Sequence, residues 1–329
     1  MYQLGSKEFW KGRIDAEDGE SGKRWHQIIN FLNLSETPLH KSGGEINIAF
    51  LGFCCDEGVR RNKGRIGAQA GPDALRQQMA SLPVHFSMEE VALFDAGNII
   101  CPNQDMERAQ ELLGQKVNQL LTYGFFPIVL GGGHEVAYGH YLGLHAYTKA
   151  NNIKELGIIN LDAHFDLRSY TNGTSSGTPF RQIVDLRKNH NLPFRYLCLG
   201  IQEQGNTQAL FRYAKQTGTE YLLAEEIKEM QGLSLESYIS NWLVDKEAIY
   251  LTLDLDVLAA AYAPGVSAIN PLGVKPELVN NVIKYIIKSK KLLSLDIAEL
   301  NPQFDIDGQT AKLSAWTIFS IVNSLIYKA

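Results

Sequence analysis

The chain has 329 residues, of which 45 % are hydrophobic and 20 % charged, so it can bury a large core. This composition is not that of a disordered or fibrous protein. Its 31 basic and 36 acidic residues give a net charge of −5, and no long basic run occurs. Electrostatic binding to nucleic acid or to an anionic membrane is therefore not expected. The composition favours a small-molecule partner.

The opening segment MYQLGSKEFWKGRIDAEDGE carries charges where a signal peptide would have its apolar core. No run of about 18 apolar residues, the length that a membrane-spanning helix needs, follows it. The four cysteines lack the spacing of a disulfide framework, which indicates a reducing compartment. These features predict a cytoplasmic protein.

Short apolar runs punctuated by Gly, Asp or Asn predict eight β-strands. In chain order these strands lie at 46–53, 91–95, 126–132, 156–162, 194–201, 219–224, 248–256 and 291–300. Most of the apolar residues are consecutive rather than alternating, as in strands of a parallel sheet that is covered on both faces.

Helical patterns alternate with these strands. They include GPDALRQQMASL, in which Pro72 takes a first helical position, DMERAQELLGQKVNQLLTYG and KPELVNNVIKYIIKSKK. This alternation predicts right-handed βαβ units and a doubly wound, three-layer αβα fold of the α/β class. Because no linker-like tract divides the chain, we predict one domain over residues 44–329, preceded by a polar N-terminal extension over residues 1–43.

Three of the predicted strands end in polar clusters, which are GGGHE at 131–135, DAHFD at 162–166 and DLD at 254–256. The carboxyl ends of parallel strands share one edge of the sheet, where ligands bind in open α/β folds, so the topology would gather these clusters. If the backbone there is still extended, Asp162, His164 and Asp166 project to one side, and Asp254 and Asp256 do likewise.

Each cluster alone has a simpler interpretation, because an Asp after a strand often caps the next helix. Four aspartates that converge in one cleft would, however, repel one another strongly unless cations neutralised them. Two divalent ions supply the required charge, and carboxylates with some imidazole suit Mn²⁺ better than Zn²⁺. The residues therefore predict a dimanganese centre with bridging aspartates.

The motifs GGGHE, DAHFD and DLDVLAAAYAPG resemble the three metal-binding motifs of the ureohydrolase family, which includes arginase and agmatinase. The resemblance runs from about residue 46 to the C-terminus. Within the family, GVRRNKGRIGAQAGPDALR and SSGTPFRQ are most similar to the formimidoylglutamase branch. The resemblance implies a three-layer αβα fold with an eight-stranded parallel sheet.

The resemblance also implies ligands for two manganese ions. The ligands of one ion would be His134, Asp162, Asp166 and Asp254. Those of the other would be Asp162, His164, Asp254 and Asp256, so that Asp162 and Asp254 bridge. A water shared by two such ions ionises near neutral pH, and the resulting hydroxide would attack the amidine carbon.

Two further carboxylates have implied catalytic roles. Asp166 can orient the attacking hydroxide, and Glu299 would pair with a cationic amidine. Without the resemblance, Glu299 is better interpreted as a solvated loop carboxylate.

Two positions depart from the arginase and agmatinase pattern. Those members have a His in an HG turn after the second motif, where this chain has Ser176, and an Asp-Pro after the third motif, where it has Ala259-Ala260. Both changes argue against arginine or agmatine as the substrate. Ser176 cannot act as an acid near neutral pH, so we expect it only to line the substrate site, and the proton donor to the leaving amine is not identified.

The one dense cationic segment, RRNKGR at 60–65, follows the first predicted strand on the same edge of the sheet. A substrate with two carboxylates needs such cations, and arginine suits bidentate pairing with carboxylates. The predicted carboxylate-binding residues are Arg60, Arg61, Arg65 and Arg181. The alternative for each of them is a solvated basic loop.

The predicted function is manganese-dependent hydrolysis of N-formimidoyl-L-glutamate to L-glutamate and formamide, a step of histidine degradation. One alternative is another ureohydrolase that acts on a guanidino acid, of the guanidinobutyrase, agmatinase or arginase type. The other is a non-catalytic relative that keeps its metals for stability, although the presence of all six ligands argues against it. A closed homo-oligomer is the expected assembly.

Overall fold

A computed structural model describes residues 1–230 and 232–326. The strands of its central sheet are β1 (Tyr2–Gln3), β2 (Asn30–Phe31), β3 (Ile46–Cys54), β4 (Val91–Ile100), β5 (Phe126–Leu130), β6 (Leu156–Leu161), β7 (Arg195–Ile201), β8 (Glu220–Leu223), β9 (Ala248–Asp254) and β10 (Leu292–Ala298). The α-helices in these residues are α1 (Trp25–Ile28), α2 (Glu57–Arg61), α3 (Gly71–Met79), α4 (Met106–Thr122), α5 (Val136–Ala150), α6 (Pro179–Asn189), α7 (Gln208–Thr217), α8 (Ala224–Glu229), α9 (Gly232–Leu243), α10 (Pro276–Lys288) and α11 (Gln309–Ile326).

The strands cross the sheet in the order β1-β4-β3-β5-β10-β9-β6-β7-β8, and β2 also pairs with β4. Neighbouring strands are parallel except for the pair of β1 with β4. The chain runs outward from β3 to β4, returns to β5 on the other side of β3, and so winds in both directions. The eight predicted strands correspond to β3 through β10, and the predicted αβα fold is confirmed.

Helices cover both faces of this sheet. One layer contains α3, α9, α10 and α11 and packs through residues such as Leu75 and Ile318 against Phe50 of β3. The other contains α4, α5, α6 and α7 and packs through residues such as Leu113 against Leu51, the next residue of the same strand. Because successive side chains of a strand point to opposite faces, the consecutive apolar runs of the sequence are the direct consequence of this double coverage.

The first 43 residues are partly built into the sheet. β1 and β2 both pair with β4, and the side chains of Trp10 and Trp25 are buried. Trp10 Nε1 donates to Asp95 Oδ2 over 2.7 Å, and the buried guanidinium of Arg76 donates to both oxygens of Asp95 at 2.9 and 3.0 Å. The N-terminal segment is thus held to β4 by strand pairing and by the hydrogen bond from Trp10 to the Asp95 carboxylate. Its division from the main domain at residue 43 stays a prediction.

The helices carry no transmembrane signature. Within residues 1–230 and 232–326, none combines the length and the apolar character that crossing a bilayer requires.

Arg76→Met should lower the free energy of unfolding by about 3–5 kcal/mol, because it leaves the Asp95 carboxylate buried without its cation. Urea denaturation followed by circular dichroism measures this loss. Arg108→Met is the matched control, since the ion pair of Arg108 with Glu111 is exposed and its removal should change stability little. Equal effects of the two substitutions would contradict the structural role of Arg76.

Candidate metal centre

The three polar clusters predicted from the sequence lie at the carboxyl ends of β5, β6 and β9, and Glu299 follows β10. These four strands are consecutive in the sheet, in the order β5-β10-β9-β6. The turn after β5 depends on glycine, because a Cβ on Gly132 would collide with the carbonyl of Cys55. Asp166 and Glu299 have left-handed backbone conformations, with φ of 48° and 69°, which are uncommon for residues other than glycine. Such conformations persist where the surrounding fold enforces them, as it often does at functional sites.

The first group of side chains surrounds His134. Its buried Nδ1 lies 3.2 Å from Asp162 Oδ2, 2.9 Å from Asp166 Oδ2 and 3.1 Å from Asp254 Oδ2, yet it has no hydrogen-bond partner. The potential ligand atoms of these four residues lie within 4.8 Å of one another. A buried imidazole nitrogen that faces three carboxylate oxygens without a hydrogen bond fits a cation site. The oxygen-rich donor set suits manganese better than zinc.

The second group consists of Asp162, His164 and Asp256. His164 Nδ1 lies 3.0 Å from Asp256 Oδ2 and 3.5 Å from Asp162 Oδ1. Asp162 therefore turns one oxygen toward each group, which is the geometry of a bridging ligand. By the distances between ligand atoms Asp254 belongs only to the first group, and its Oδ1 accepts the backbone N–H of Asp256 over 2.8 Å. Its predicted role as a second bridge stays a prediction.

Without cations, the buried cluster retains protons. Burial raises the pKa of Asp254 well above its ordinary value, and the charges of Asp256 and Asp162 raise it further. Burial likewise raises the pKa of Asp256 and of Asp166. Burial would also raise the pKa of Asp162, but the adjacent imidazoles of His134 and His164 outweigh that effect and lower it. For both imidazoles, burial lowers the pKa and the neighbouring carboxylates raise it by more.

A cleft of about 320 Å³ opens onto these groups. Beyond the two groups themselves, its lining residues are Asn62, Lys63, Gly64, Arg65, Arg168, Ser176, Ser267, Ala268 and Glu299. Three of the predicted substrate-binding residues, Arg65, Ser176 and Glu299, line this cleft, and their contact with a substrate stays a prediction. Glu299 accepts the backbone N–H of His134 through Oε1 over 2.9 Å, while its buried Oε2 has no hydrogen-bond partner. Burial, together with the charges of Asp254 and Glu135, raises the pKa of Glu299.

Three predicted arginines do not line this cleft. Arg60 pairs with Glu57 over 2.6 Å, and Arg61 lies between Glu57 at 2.8 Å and Glu107 at 2.6 Å. The guanidinium of Arg181 lies 3.5 Å from the centre of the Tyr213 ring. Glu57 is close to Arg60 and Arg61 in the sequence, whereas Glu107 and Tyr213 are distant from their arginine partners and could not be recognised as such from the sequence. These three side chains are engaged in structural contacts.

Arg168 is a cation of the cleft that the motifs did not reveal. It lies two residues beyond Asp166, is exposed, and its guanidinium has no hydrogen bond or ion pair within residues 1–230 and 232–326. Alternation along an extended strand would not have located it, because the backbone at Asp166 is left-handed. Lys63 is the other exposed cation of the lining.

Known proteins have a similar sequence or the same fold. The sequence model of the arginase family matches residues 46–323. A formimidoylglutamase of Clostridium tetani is 46 % identical over 326 residues, which cover 98 % of this chain and 96 % of that protein. The solved formimidoylglutamase of Bacillus subtilis has a TM-score of 0.79 at 22 % identity and covers 93 % of this chain and 92 % of its own. The solved formiminoglutamase of Trypanosoma cruzi with Mn²⁺ has a TM-score of 0.77 at 24 % identity, covering 88 % of this chain and 97 % of its own.

Fold and site together define a three-layer αβα protein with carboxylates and imidazoles clustered at the carboxyl edge of its sheet. The chain belongs to the arginase family. The resemblance to the ureohydrolases, which include arginase, is thereby confirmed.

The metal-free protein should lose stability as the pH rises from about 5 to 8. In this range Asp254, whose pKa burial raises well above its ordinary value, and the two imidazoles, whose pKa values the carboxylates raise, bind more protons folded than unfolded. Asp162, with its lowered pKa, opposes this trend only below its ordinary value of 3.8. Urea denaturation at several pH values in the presence of a chelator measures the slope of the free energy of unfolding against pH.

In excess Mn²⁺ the slope should reverse, because cations compete with protons for the same ligands and bind more tightly at higher pH. The same pH slope with chelator and with Mn²⁺ would contradict a cation site at this cluster.

Proposed function

We propose that this chain hydrolyses N-formimidoyl-L-glutamate to L-glutamate and formamide and that two Mn²⁺ ions assist the reaction. The observation that supports a metal-assisted reaction is His134 Nδ1, which is buried, faces three carboxylate oxygens and lacks a hydrogen bond. The substrate follows from the identity of 46 % to a formimidoylglutamase over nearly the whole chain.

His134, Asp162, Asp166 and Asp254 would hold one ion, and Asp162, His164 and Asp256 would hold the other, with Asp254 proposed as a further ligand of the second ion. When bound, two such cations lower the pKa of a shared water to near neutrality and stabilise negative charge that develops on the substrate. The four aspartates would then be ionised at neutral pH rather than partly protonated.

Hydrolysis adds water to the formimidoyl carbon and breaks the bond from that carbon to the glutamate nitrogen. In the proposed arrangement the Oε2 atom of Glu299, which has no partner in the protein, accepts hydrogen bonds from the amidinium and orients it. The Asp166 side chain is 12 % exposed toward the cleft and would accept the remaining hydrogen bond of the attacking water. Ser176 would line the site without transferring a proton.

The two carboxylates of the substrate need cations at the other end of the cleft. Arg168 and Lys63 fit this role, because both are exposed there and neither has a side-chain partner in the described residues. Arg65 is less available, since Nε donates to Ser267 O over 2.9 Å, Nη2 donates to Val266 O over 2.5 Å, and the guanidinium stacks on Phe304. We therefore assign the main carboxylate contact to Arg168, in place of Arg60, Arg61 and Arg181.

The proposed location of the reaction is the cytoplasm, as part of histidine degradation. The four cysteines are free, which suits a reducing compartment. The closed homo-oligomer stays a prediction, which light scattering coupled to size-exclusion chromatography would test.

The assay that tests this function compares formimidoylglutamate, arginine, agmatine and guanidinobutyrate side by side with manganese-loaded protein. Formimidoylglutamate should have a kcat/KM about 10⁴-fold above that of agmatine, which offers no carboxylate to the cleft cations and brings a second cation among them. A higher kcat/KM for any of the other three substrates would overturn the assignment.

Arg168→Met should raise KM for formimidoylglutamate about tenfold to a hundredfold and leave kcat nearly unchanged, because it removes a charge-assisted hydrogen bond to a part of the substrate remote from the reacting carbon. Steady-state kinetics provide both constants. Arg212→Met is the control, since Arg212 is exposed on α7 and outside the cleft lining. If the two variants had the same KM, Arg168 would not be the carboxylate contact.

A further inference from the structure

A buried chain of hydrogen bonds runs beneath His134, on the side away from the aspartates. Thr252 of β9 and Asp296 of β10 are register partners in the sheet, and both are fully buried. Thr252 Oγ1 lies 3.0 Å from His134 Nε2 and 2.6 Å from Asp296 Oδ1. The hydroxyl of Thr252 therefore connects a proposed metal ligand to a carboxylate that lies outside the cleft.

The direction of these hydrogen bonds follows from a count of protons. A threonine hydroxyl has one proton, and it donates this proton to Asp296 Oδ1. Thr252 Oγ1 can then only accept from the imidazole, so the ring proton of His134 resides on Nε2. The lone pair of His134 consequently resides on Nδ1, the atom that faces the carboxylate oxygens of Asp162, Asp166 and Asp254.

The other carboxylate oxygen of Asp296, Oδ2, has hydrogen-bond partners of its own. Oδ2 accepts the hydroxyl of Tyr250 over 2.5 Å and lies 2.6 Å from His140 Nδ1. Ser294 donates its one proton to the carbonyl of Pro127 over 2.8 Å, so Ser294 Oγ must accept the Nε2–H of His140 over 2.7 Å. A hydrogen bond therefore also joins His140 Nδ1 and Asp296 Oδ2. Oδ1 of Asp296 is left as the acceptor for Thr252.

We propose that Thr252 and Asp296 are positioning residues for the metal site: they fix the His134 tautomer that presents Nδ1 to a cation, and His140 holds Asp296 in the orientation that this requires. The inference rests on the proposed function only in taking His134 as a metal ligand. Partners of this kind, which orient a ligating histidine through its second nitrogen, change metal affinity about tenfold to a hundredfold when they are removed.

The test measures Mn²⁺ binding to the full chain by isothermal titration calorimetry. Thr252→Val removes the hydroxyl at nearly constant volume and should weaken the binding of one of the two ions about tenfold to a hundredfold. Thr252→Ser restores the hydroxyl and should bind Mn²⁺ with an affinity close to that of the wild type. Elemental analysis after dialysis provides an independent count of retained ions.

Thr317→Val is the matched control. Thr317 is also a buried threonine, but its hydroxyl donates to the carbonyl of Leu313 within α11 and contacts no residue of the metal site. Both valine variants lose a buried hydrogen bond, so a loss of stability alone would appear in both. Only Thr252→Val should lose Mn²⁺ affinity.

Wild-type affinity in Thr252→Val, an equal loss in Thr317→Val, or failure of Thr252→Ser to restore binding would overturn the proposal. A wild-type protein that binds no Mn²⁺ would overturn both this proposal and the proposed function. A wild-type protein that binds two ions without hydrolysing formimidoylglutamate would refute the substrate assignment, while the predicted affinities of the variants would still support the positioning role.

Discussion

The aspartates at the carboxyl ends of β6 and β9 concentrate negative charge where water has little access. Asp162, Asp254 and Asp256 are buried, and Asp166 reaches the cleft only at its edge. Carboxylates in such surroundings must either bind protons or lie against cations. The two histidines that face them compensate only part of this charge. The arrangement of the sheet, the glycine turn after β5 and the hydrogen bonds under His134 all serve to hold this cluster in a geometry that cations can complete.

The arginines of this chain divide into two groups according to their partners. Arg76 is buried against Asp95, and Arg61 bridges Glu57 and Glu107, so both connect elements that are distant in the sequence. The pairing of Arg61 also lowers the pKa of Glu107 to about 2. Arg168, in contrast, is exposed in the cleft, and its guanidinium has no partner among the described residues. A substrate carboxylate can pair with such a cation without first displacing a protein carboxylate. An arginine without a protein partner, rather than a segment rich in arginine, therefore indicates the proposed substrate end of the site.

Periodicity and the three motifs predicted the parts of the molecule that depend on local sequence. Consecutive apolar residues located the strands β3 to β10, and the shared edge of a parallel sheet anticipated which motifs would meet. The extended backbone considered between the aspartates is absent, because Asp166 is left-handed and Leu255–Val257 form a 3-10 turn. β1 and β2 were not predicted, because each has only two residues and forms a strand only by pairing with β4. The bond between Thr252 and Asp296 depends on the register of two strands, and the partners of Arg61 depend on how α2 packs, so neither could be inferred from spacing along the chain.

We propose that this cluster holds two divalent cations with Asp162 between them. X-ray data collected at the manganese absorption edge from crystals grown with Mn²⁺ test it most directly, because anomalous scattering locates manganese independently of the protein atoms. We expect two anomalous peaks roughly 3.5–4 Å apart, one beside His134 Nδ1 and the other beside His164 Nδ1, with Asp162 contacting both. A single peak, or no manganese between the aspartates, would contradict it.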